Sequence, residues 1–328
     1  MKVDRLLEII TILLNNEKIK AKYLAEKFEV SIRTIYRDIE DICKAGVPII
    51  TFQGGGGGSM GIGWETGYLT GLADGGIDTR FADLIVGTSA GSQVGAVIAS
   101  RISWNDIWEK LINLKYQSQK ESPSGNLGSL FEKYDEIATS SKTPKEWIDR
   151  MGKLAIESNT MAESEQLSRI RNTIGDCQWA EALRIVAVDL VTSQRVVWGS
   201  NSSIELIKAA SASSSLPGVW PPTTICSRKY LDGGVHSMEN ADIAEGASKV
   251  LILSVGLPVQ TPFKLEDQIQ SLQKSGSEVE LVKPDKKIYE ALQQLGGNPV
   301  DPRIRPVIAA CGREQGYEDA KRIAKFWD

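Results

Sequence analysis

The stretch Phe81–Ser100, "FADLIVGTSAGSQVGAVIAS", decides the fold. Ala82–Val86 is a short apolar run of strand type. Gly87-Thr88-Ser89-Ala90-Gly91 is a Gly-x-Ser-x-Gly turn, and "SQVGAVIAS" has the small-residue pattern of a buried helix. Strand, sharp turn and helix in that order describe a nucleophile elbow, which thrusts a serine outward at a strand tip. Gly87 and Gly91 flank Ser89 and Ala90 where larger side chains would collide across the turn. Ser89 also opens a helix, where backbone N–H groups and the dipole favour negative charge. Ser89 is therefore the candidate nucleophile, and the competing reading is an ordinary strand-to-helix turn that happens to carry a serine.

Upstream, "GVPIITFQGGGGGSMGIGWETG" (Gly46–Gly67) runs from a β-prone segment into five consecutive glycines. Gly56, Gly58 and Gly61 match the dinucleotide fingerprint formally, but a glycine run generates that match unaided. No Gly-Lys-Ser/Thr follows, which excludes a nucleoside-triphosphate loop. Beside a serine nucleophile the run acquires another role. Attack on an ester creates an alkoxide, and preorganised N–H donors stabilise it strongly in a dry site. Glycines turn several N–H groups toward one point without Cβ interference. Gly56, Gly57, Gly58 and Ser59 are the candidate oxyanion hole.

A base must come from further along the chain. "LDGGVHSMEN" (Leu231–Asn240) places Asp232 after a strand-like "KYL" and before two glycines, and it contains the chain's one histidine, His236. A Ser89–Asp232–His236 triad would have the chain order of the α/β-hydrolases. Base and orienter usually come from separate loops, however, and these two sit too close in sequence. Direct contact of Asp232 with Ser89, as a dyad, fits better. Between the two candidates lies "AASASSSLPGVWPP" (Ala209–Pro222), a small-residue helix ending in a proline-rich turn.

Four blocks, "GGGGSMGIGWETGYLTGL", "DLIVGTSAGS", "AASASSSLPGVWPP" and "YLDGGV", resemble in order those of the patatin-like phospholipases. The resemblance runs from about Gly54 to the C-terminus and includes "NPVDPRIRPVIAACGREQG". It implies a Rossmann-like three-layer α/β/α fold that cleaves lipid acyl esters through a Ser–Asp dyad, without metal or organic cofactor. It carries the nucleophile onto Ser89, the general base onto Asp232 and the oxyanion loop onto Gly56 to Gly61. One departure is Met60, where many relatives have Arg or Lys. A cationic helper to the oxyanion or to a lipid phosphate is then missing, which weighs against a phospholipid preference.

The first fifty residues have a different character. Leu6, Ile9, Ile10 and Leu13 share a helical face. "AKYLAEKFEV" predicts a second short helix with Tyr23, Leu24 and Phe28 inward. Ser31 suits the N-cap of a third helix that Gly46 closes. In that helix Ile32, Ile35, Ile39 and Ile42 would hold to the core. Ser31, Arg33, Thr34 and Arg37 would face outward with the side chains that phosphates and guanine edges select. "IKAKYLAEKFEVSIRTIYRDIEDICKAGVPI" resembles the winged helix-turn-helix of bacterial DeoR-like and WYL-domain regulators. That resemblance implies double-stranded DNA as a partner of residues 20–45, with a purely dimerising helical bundle as the alternative. Such proteins commonly pair on two half-sites, so a homodimer is a candidate state.

The junction poses a conflict. "VPIITFQ" is the one candidate both for a wing strand and for the strand feeding the glycine loop. Burying a central strand stabilises more than forming a wing, so the sheet is expected to take it. The division expected is 1–50 for the helix-turn-helix and 51–328 for the hydrolase.

Bulk properties agree with two soluble domains. The 328 residues are 41% hydrophobic and 24% charged, with a net charge of −4, so any nucleic-acid footprint must come from local clustering. Four scattered cysteines make no metal spacing and suggest reduced thiols in the cytoplasm. The apolar run "IITILL" falls well short of the roughly 20 residues a membrane span needs. Between Trp104 and Ile174 the pattern is mostly helical. Such an insertion could cap the site and touch an acyl chain through Trp104, Trp108, Leu111 and Trp147, or simply pack as amphipathic helices. "LRIVAVDLVT" and "KVLILSVGL" read as buried parallel strands.

Overall fold

The computed structural model describes Arg5, Ile9 and residues 21–32, 34–35, 49–54 (backbone only), 58–112, 127–255 and 261–327. The chain divides into two compact units, Met1–Val47 with Trp327–Asp328, and Pro48–Phe326.

The larger unit is built on one mixed sheet. Its strands are β1 (Ile49–Gly54), β2 (Ile85–Ser89), β3 (Leu183–Asp189), β4 (Gln194–Trp198), β5 (Thr223–Ile225), β6 (Arg228–Asp232), β7 (Lys249–Leu253) and β8 (Glu278–Val282). The order is β5-β6-β3-β2-β1-β7-β8, with β4 also paired to β3. The run from β3 through β2, β1 and β7 to β8 is parallel, whereas β4 and β6 join β3 antiparallel. Every residue of β2 and the last four of β7 are buried. Burial of consecutive residues, which point to opposite faces, means that helices cover the sheet on both sides. This is the α/β architecture expected. "VPIITFQ" contributes β1, hydrogen-bonded between β2 and β7, so the sheet has taken the contested strand.

The helices around this sheet are α2 (Gly58–Asp74), α3 (Ala90–Ala99), α4 (Trp104–Ile112), α5 (Leu127–Ser140), α6 (Pro144–Glu157), α7 (Glu163–Ile174), α8 (Leu206–Ser213), α9 (Leu265–Lys274), α10 (Lys286–Gln294) and α11 (Arg305–Trp327). Helices α2 and α11 approach backbone to backbone. A Cβ at Gly67 would lie 2.1 Å from Ala309 O, and one at Gly316 2.1 Å from Tyr68 O. Trp64 Nε1 donates to Gln315 Oε1 at 2.9 Å and Tyr68 OH to Asp319 Oδ2 at 3.0 Å, which sets the register of the pair. Among the described residues no helix is long and apolar enough to cross a membrane.

In the smaller unit, α1 (Ala21–Lys27) supplies Leu24 and Ala25 to a core shared with Ile9 and Ile35, and Phe28 packs against it. Two expectations are corrected. Tyr23 is 54% exposed and Ile32 is 44% exposed. Leu24, Ala25 and Phe28 already make one helical stripe, and Tyr23 falls outside it. Ile32 stands in the first turn of its helix, before the turn that meets the core. Ser31 does cap that helix, since its Oγ accepts from Thr34 N at 3.0 Å. Leu6, Ile10, Leu13, Arg33, Arg37, Ile39 and Ile42 lie outside the described residues.

Candidate active site

Strand β3 acts as the template on which the site assembles. Strand β2 runs parallel to it with Gly87 opposite Ile185. Strand β6 runs antiparallel with Asp232 opposite Ala187. The C-terminal ends of β2 and β6 therefore approach from opposite directions and meet, which brings together Ser89 and Asp232. On the other side of β2, Gly54 is the partner of Ser89, so the glycine run leaves the sheet beside the serine. Gly56 and Gly57 fall outside the described residues.

The elbow is strained and close-packed. Ser89 has φ 55° and ψ −121°, a region that costs a non-glycine residue about 1–3 kcal/mol and persists when its surroundings enforce it. A Cβ on Gly87 would lie 2.5 Å from Ser92 Cα and 2.6 Å from Gly91 O, so glycine is obligatory there. Ala90 and Gly91 open α3, both buried. The enforcement comes from hydroxyls. Ser89 N donates to Ser213 Oγ at 3.0 Å. Ser89 O accepts from Ser92 Oγ at 2.6 Å and from Ser214 Oγ at 3.2 Å, and Ser214 in turn accepts from Gln93 Nε2. Ser215 O receives the Asp232 N–H at 3.1 Å. The serine run after α8 thus braces both halves of the site. Sequence reading missed this role, although three consecutive serines at the end of a buried helix were a signal for it.

Asp232 is 1% exposed. Its Oδ1 accepts from Gly234 N at 2.8 Å, while Oδ2 is buried without a partner of full hydrogen-bond geometry. Burial pushes the carboxyl up to about 7, and hydrogen bonding from Ser89 and from Gly234 N opposes that rise. The Ser89 side chain thus lies within reach of the carboxylate. A carboxyl that titrates near neutrality can accept a proton and return it.

His236 is elsewhere in this region. Its ring stacks on Phe263 with centroids 4.0 Å apart, and Nδ1 has no partner. Burial first, and then the charge of Arg195, drive its pKa down to about 4. Neither Ser89 nor Asp232 is among the groups that act on it.

At the start of α2, Gly58 adopts φ 45°, and a Cβ there would press on Val300. Ser59 Oγ donates to Val300 O at 3.1 Å and accepts from Arg305 Nε at 3.3 Å, while Met60 N donates to Pro299 O at 2.9 Å. The Ser59 hydroxyl is therefore committed to the segment ahead of α11. Gly61 lies buried within the first turn of α2.

A small cavity of about 20 Å³ adjoins Asp232, lined by Phe131, Tyr134, Trp147, Met151, Leu216 and Met238 among others, room for about one water molecule. Helices α5 and α6 are stapled over it. Tyr134 OH donates to Pro217 O, and Trp147 Nε1 donates to Val235 O at 2.7 Å. Trp147 also lines an open groove of about 230 Å³ with Ala138, Pro144 and Pro262. Of the four side chains considered for acyl contact, Trp147 alone borders Asp232. Leu111 is core, Trp104 packs under Arg80 and Trp108 under Arg313. In the smaller unit Ser31 is exposed, and its hydroxyl pairs with Thr34 Oγ1 at 2.9 Å. No group of three or more His, Cys, Asp or Glu converges as metal ligands among the described residues.

Residues 54–245 match the model of a patatin-like phospholipase. Residues 5–56 match a helix-turn-helix domain. Over 58 residues the chain is 57% identical to the uncharacterized HTH-type transcriptional regulator YobV of Bacillus subtilis (strain 168). That match covers 18% of this chain and 18% of the regulator. Similar solved structures include VipD from Legionella pneumophila, at 12% identity and a TM-score of 0.44, covering 84% of this chain and 67% of that one. The type III effector protein ExoU has 14% identity and a TM-score of 0.39, covering 84% of this chain and 53% of that one.

Proposed function

The chain belongs to the patatin-like phospholipase family, and from that premise we propose that it is a serine acyl-ester hydrolase acting on lipid or lysophospholipid esters. The observation that carries the reading is the meeting of Ser89, in a strained turn at φ 55°, with a buried Asp232 whose carboxyl is pushed up to about 7. In the reaction Asp232 takes the Ser89 hydroxyl proton as the oxygen attacks the ester carbonyl. Amides of the glycine run and of the elbow hold the resulting oxyanion. Collapse breaks the ester C–O bond, and the alcohol leaves with the proton from Asp232. A water molecule, deprotonated by Asp232, then cleaves the acyl-enzyme and restores Ser89. Apolar side chains around the Asp232 cavity suit an acyl chain once α5 and α6 part.

The test is turnover of short and long p-nitrophenyl esters and of lysophospholipids. Wild type hydrolyses them and Ser89→Ala does not; equal rates in the two would overturn the mechanism.

Residues 1–50 are read as a DNA-binding domain attached to the hydrolase at 51–328. Its likeness to a transcriptional regulator favours a second reading, in which the hydrolase fold senses an acyl ligand and controls DNA binding. Gel shifts of full-length protein at several salt concentrations, with and without lysophospholipid, separate the two. Lipid-dependent release from DNA by wild type and Ser89→Ala alike, without turnover, would favour sensing. Arg33→Ala and Arg37→Ala weaken any binding and flatten its salt dependence.

A further inference from the structure

Asn240 closes the "LDGGVHSMEN" stretch that carries Asp232, and it touches the flanks of both reacting residues. It is fully buried, with φ 50° and ψ 37°, a left-handed conformation that asparagine tolerates better than most residues. Its Nδ2 donates to Thr88 Oγ1 at 3.1 Å, to Gly233 O at 3.2 Å and to Ser237 O at 2.6 Å. Thr88 precedes Ser89, and Gly233 follows Asp232. Behind the amide, Oδ1 accepts from Arg195 Nη1 at 3.2 Å, and Arg195 is itself fork-paired with Asp242 at 2.6 Å. The two flanks also approach closely, since a Cβ added at Gly233 would come within 3.1 Å of Thr88 Cγ2. The β2 and β6 ends are each laddered to β3 but not to each other, and the Asn240 amide adds a direct tie between them.

We infer that Asn240 is a positioning residue, whose carboxamide holds the elbow and the base turn in the register that brings Ser89 to Asp232. This rests on the dyad reading given above. An aspartate would supply no N–H at this point, and a serine would be too short to span both acceptors. Loss of the tie lets the two segments drift, and misplacement by about 1 Å can cost on the order of 100-fold in rate.

The experiment uses the full chain with Thr88→Val, Thr88→Ser and Asn240→Ser, and p-nitrophenyl butyrate as substrate. Thr88→Val keeps the side-chain shape in a strand and removes the acceptor at the elbow. The expected result is a kcat about tenfold below wild type with KM within about twofold. Thr88→Ser, which restores the hydroxyl, recovers most of that loss. Asn240→Ser falls by between about 10- and 100-fold. If Asn240→Ser does not fold, the threonine pair still decides. Equal kcat for Thr88→Val, Thr88→Ser and wild type overturns the inference. Should wild type show neither turnover nor fluorophosphonate labelling, it is the hydrolase reading that fails, and amide hydrogen exchange of Thr88→Val judges the tie. Faster exchange at both 85–92 and 231–236 supports it, whereas a change confined to 85–92, or no change, contradicts it.

Discussion

Two buried serine–carboxylate pairs stand at the C-terminal ends of parallel strands in this sheet, and they differ instructively. Ser89 ends β2 and faces Asp232; Ser254 follows β7 and donates to Glu239 Oε1 at 2.8 Å. Burial raises both carboxyls to about 7, and the hydrogen bond from the serine opposes the rise in each. A shifted pKa therefore does not distinguish them. Ser254 has an ordinary backbone and a settled hydrogen bond. Ser89 sits in a strained turn, beside the start of the glycine run, opposite a carboxyl whose Oδ2 is unsatisfied and adjoins a cavity. Desolvation raises both carboxyls alike; the strained turn and the unfilled acceptor set the Ser89–Asp232 pair apart.

The sharpest way to break the comparison is to exchange the treatment of the two pairs. Ser89→Ala and Asp232→Asn are expected to lower kcat/KM by at least about 10³-fold. Ser254→Ala and Glu239→Gln should stay within about threefold, measured on p-nitrophenyl butyrate at pH 8. Comparable losses at both pairs would erase the distinction.

Next in size is the effect of pH. A protonated Asp232 cannot take the serine proton, so kcat/KM should fall about tenfold per pH unit below about 7. Glu239→Gln should leave that limb in place; if it moved, Glu239 would be the titrating base.

Stability gives a smaller signal. The folded pKa of Asp232 lies above its unfolded value near 3.8, so the native state binds its proton more tightly. Its contribution is fully present below about pH 4 and is lost as pH rises through 7. Asp232→Asn cannot ionise and should be more stable to unfolding than wild type at pH 8, by at most roughly 4 kcal/mol, with the gain vanishing toward pH 4. A gain that is independent of pH would contradict the buried carboxylate. Smallest of all is His236→Ala, which should keep most activity, since its ring stacks on Phe263 apart from both pairs.

How much of this could be read beforehand follows from where each constraint is written. Gly87 to Gly91 and Asp232 with its glycines are local, because a tight turn imposes residue types on its own few positions. The contest over "VPIITFQ" was also decidable, since a central sheet strand stabilises more than a wing. The head-on meeting of β2 and β6 along β3 was not legible, because the register between distant strands leaves no mark at either one. For the same reason the contacts of Asn240 with Thr88 and Arg195, of Ser213 and Ser214 with Ser89, and of Ser59 with Val300 could not be read, as each is met across the fold. Tyr23 and Ile32 were misassigned because apolarity alone does not say which face of a short helix meets a core.

Covalent trapping tests the central claim most directly. Full-length protein is treated with a fluorophosphonate, and the modified residue is located by peptide mass spectrometry in wild type, Ser89→Ala, Ser254→Ala and Asp232→Asn. The account predicts one adduct, on Ser89, present in wild type and Ser254→Ala, absent from Ser89→Ala and strongly slowed in Asp232→Asn. An adduct that persists in Ser89→Ala, or one that forms at Ser254, would contradict it.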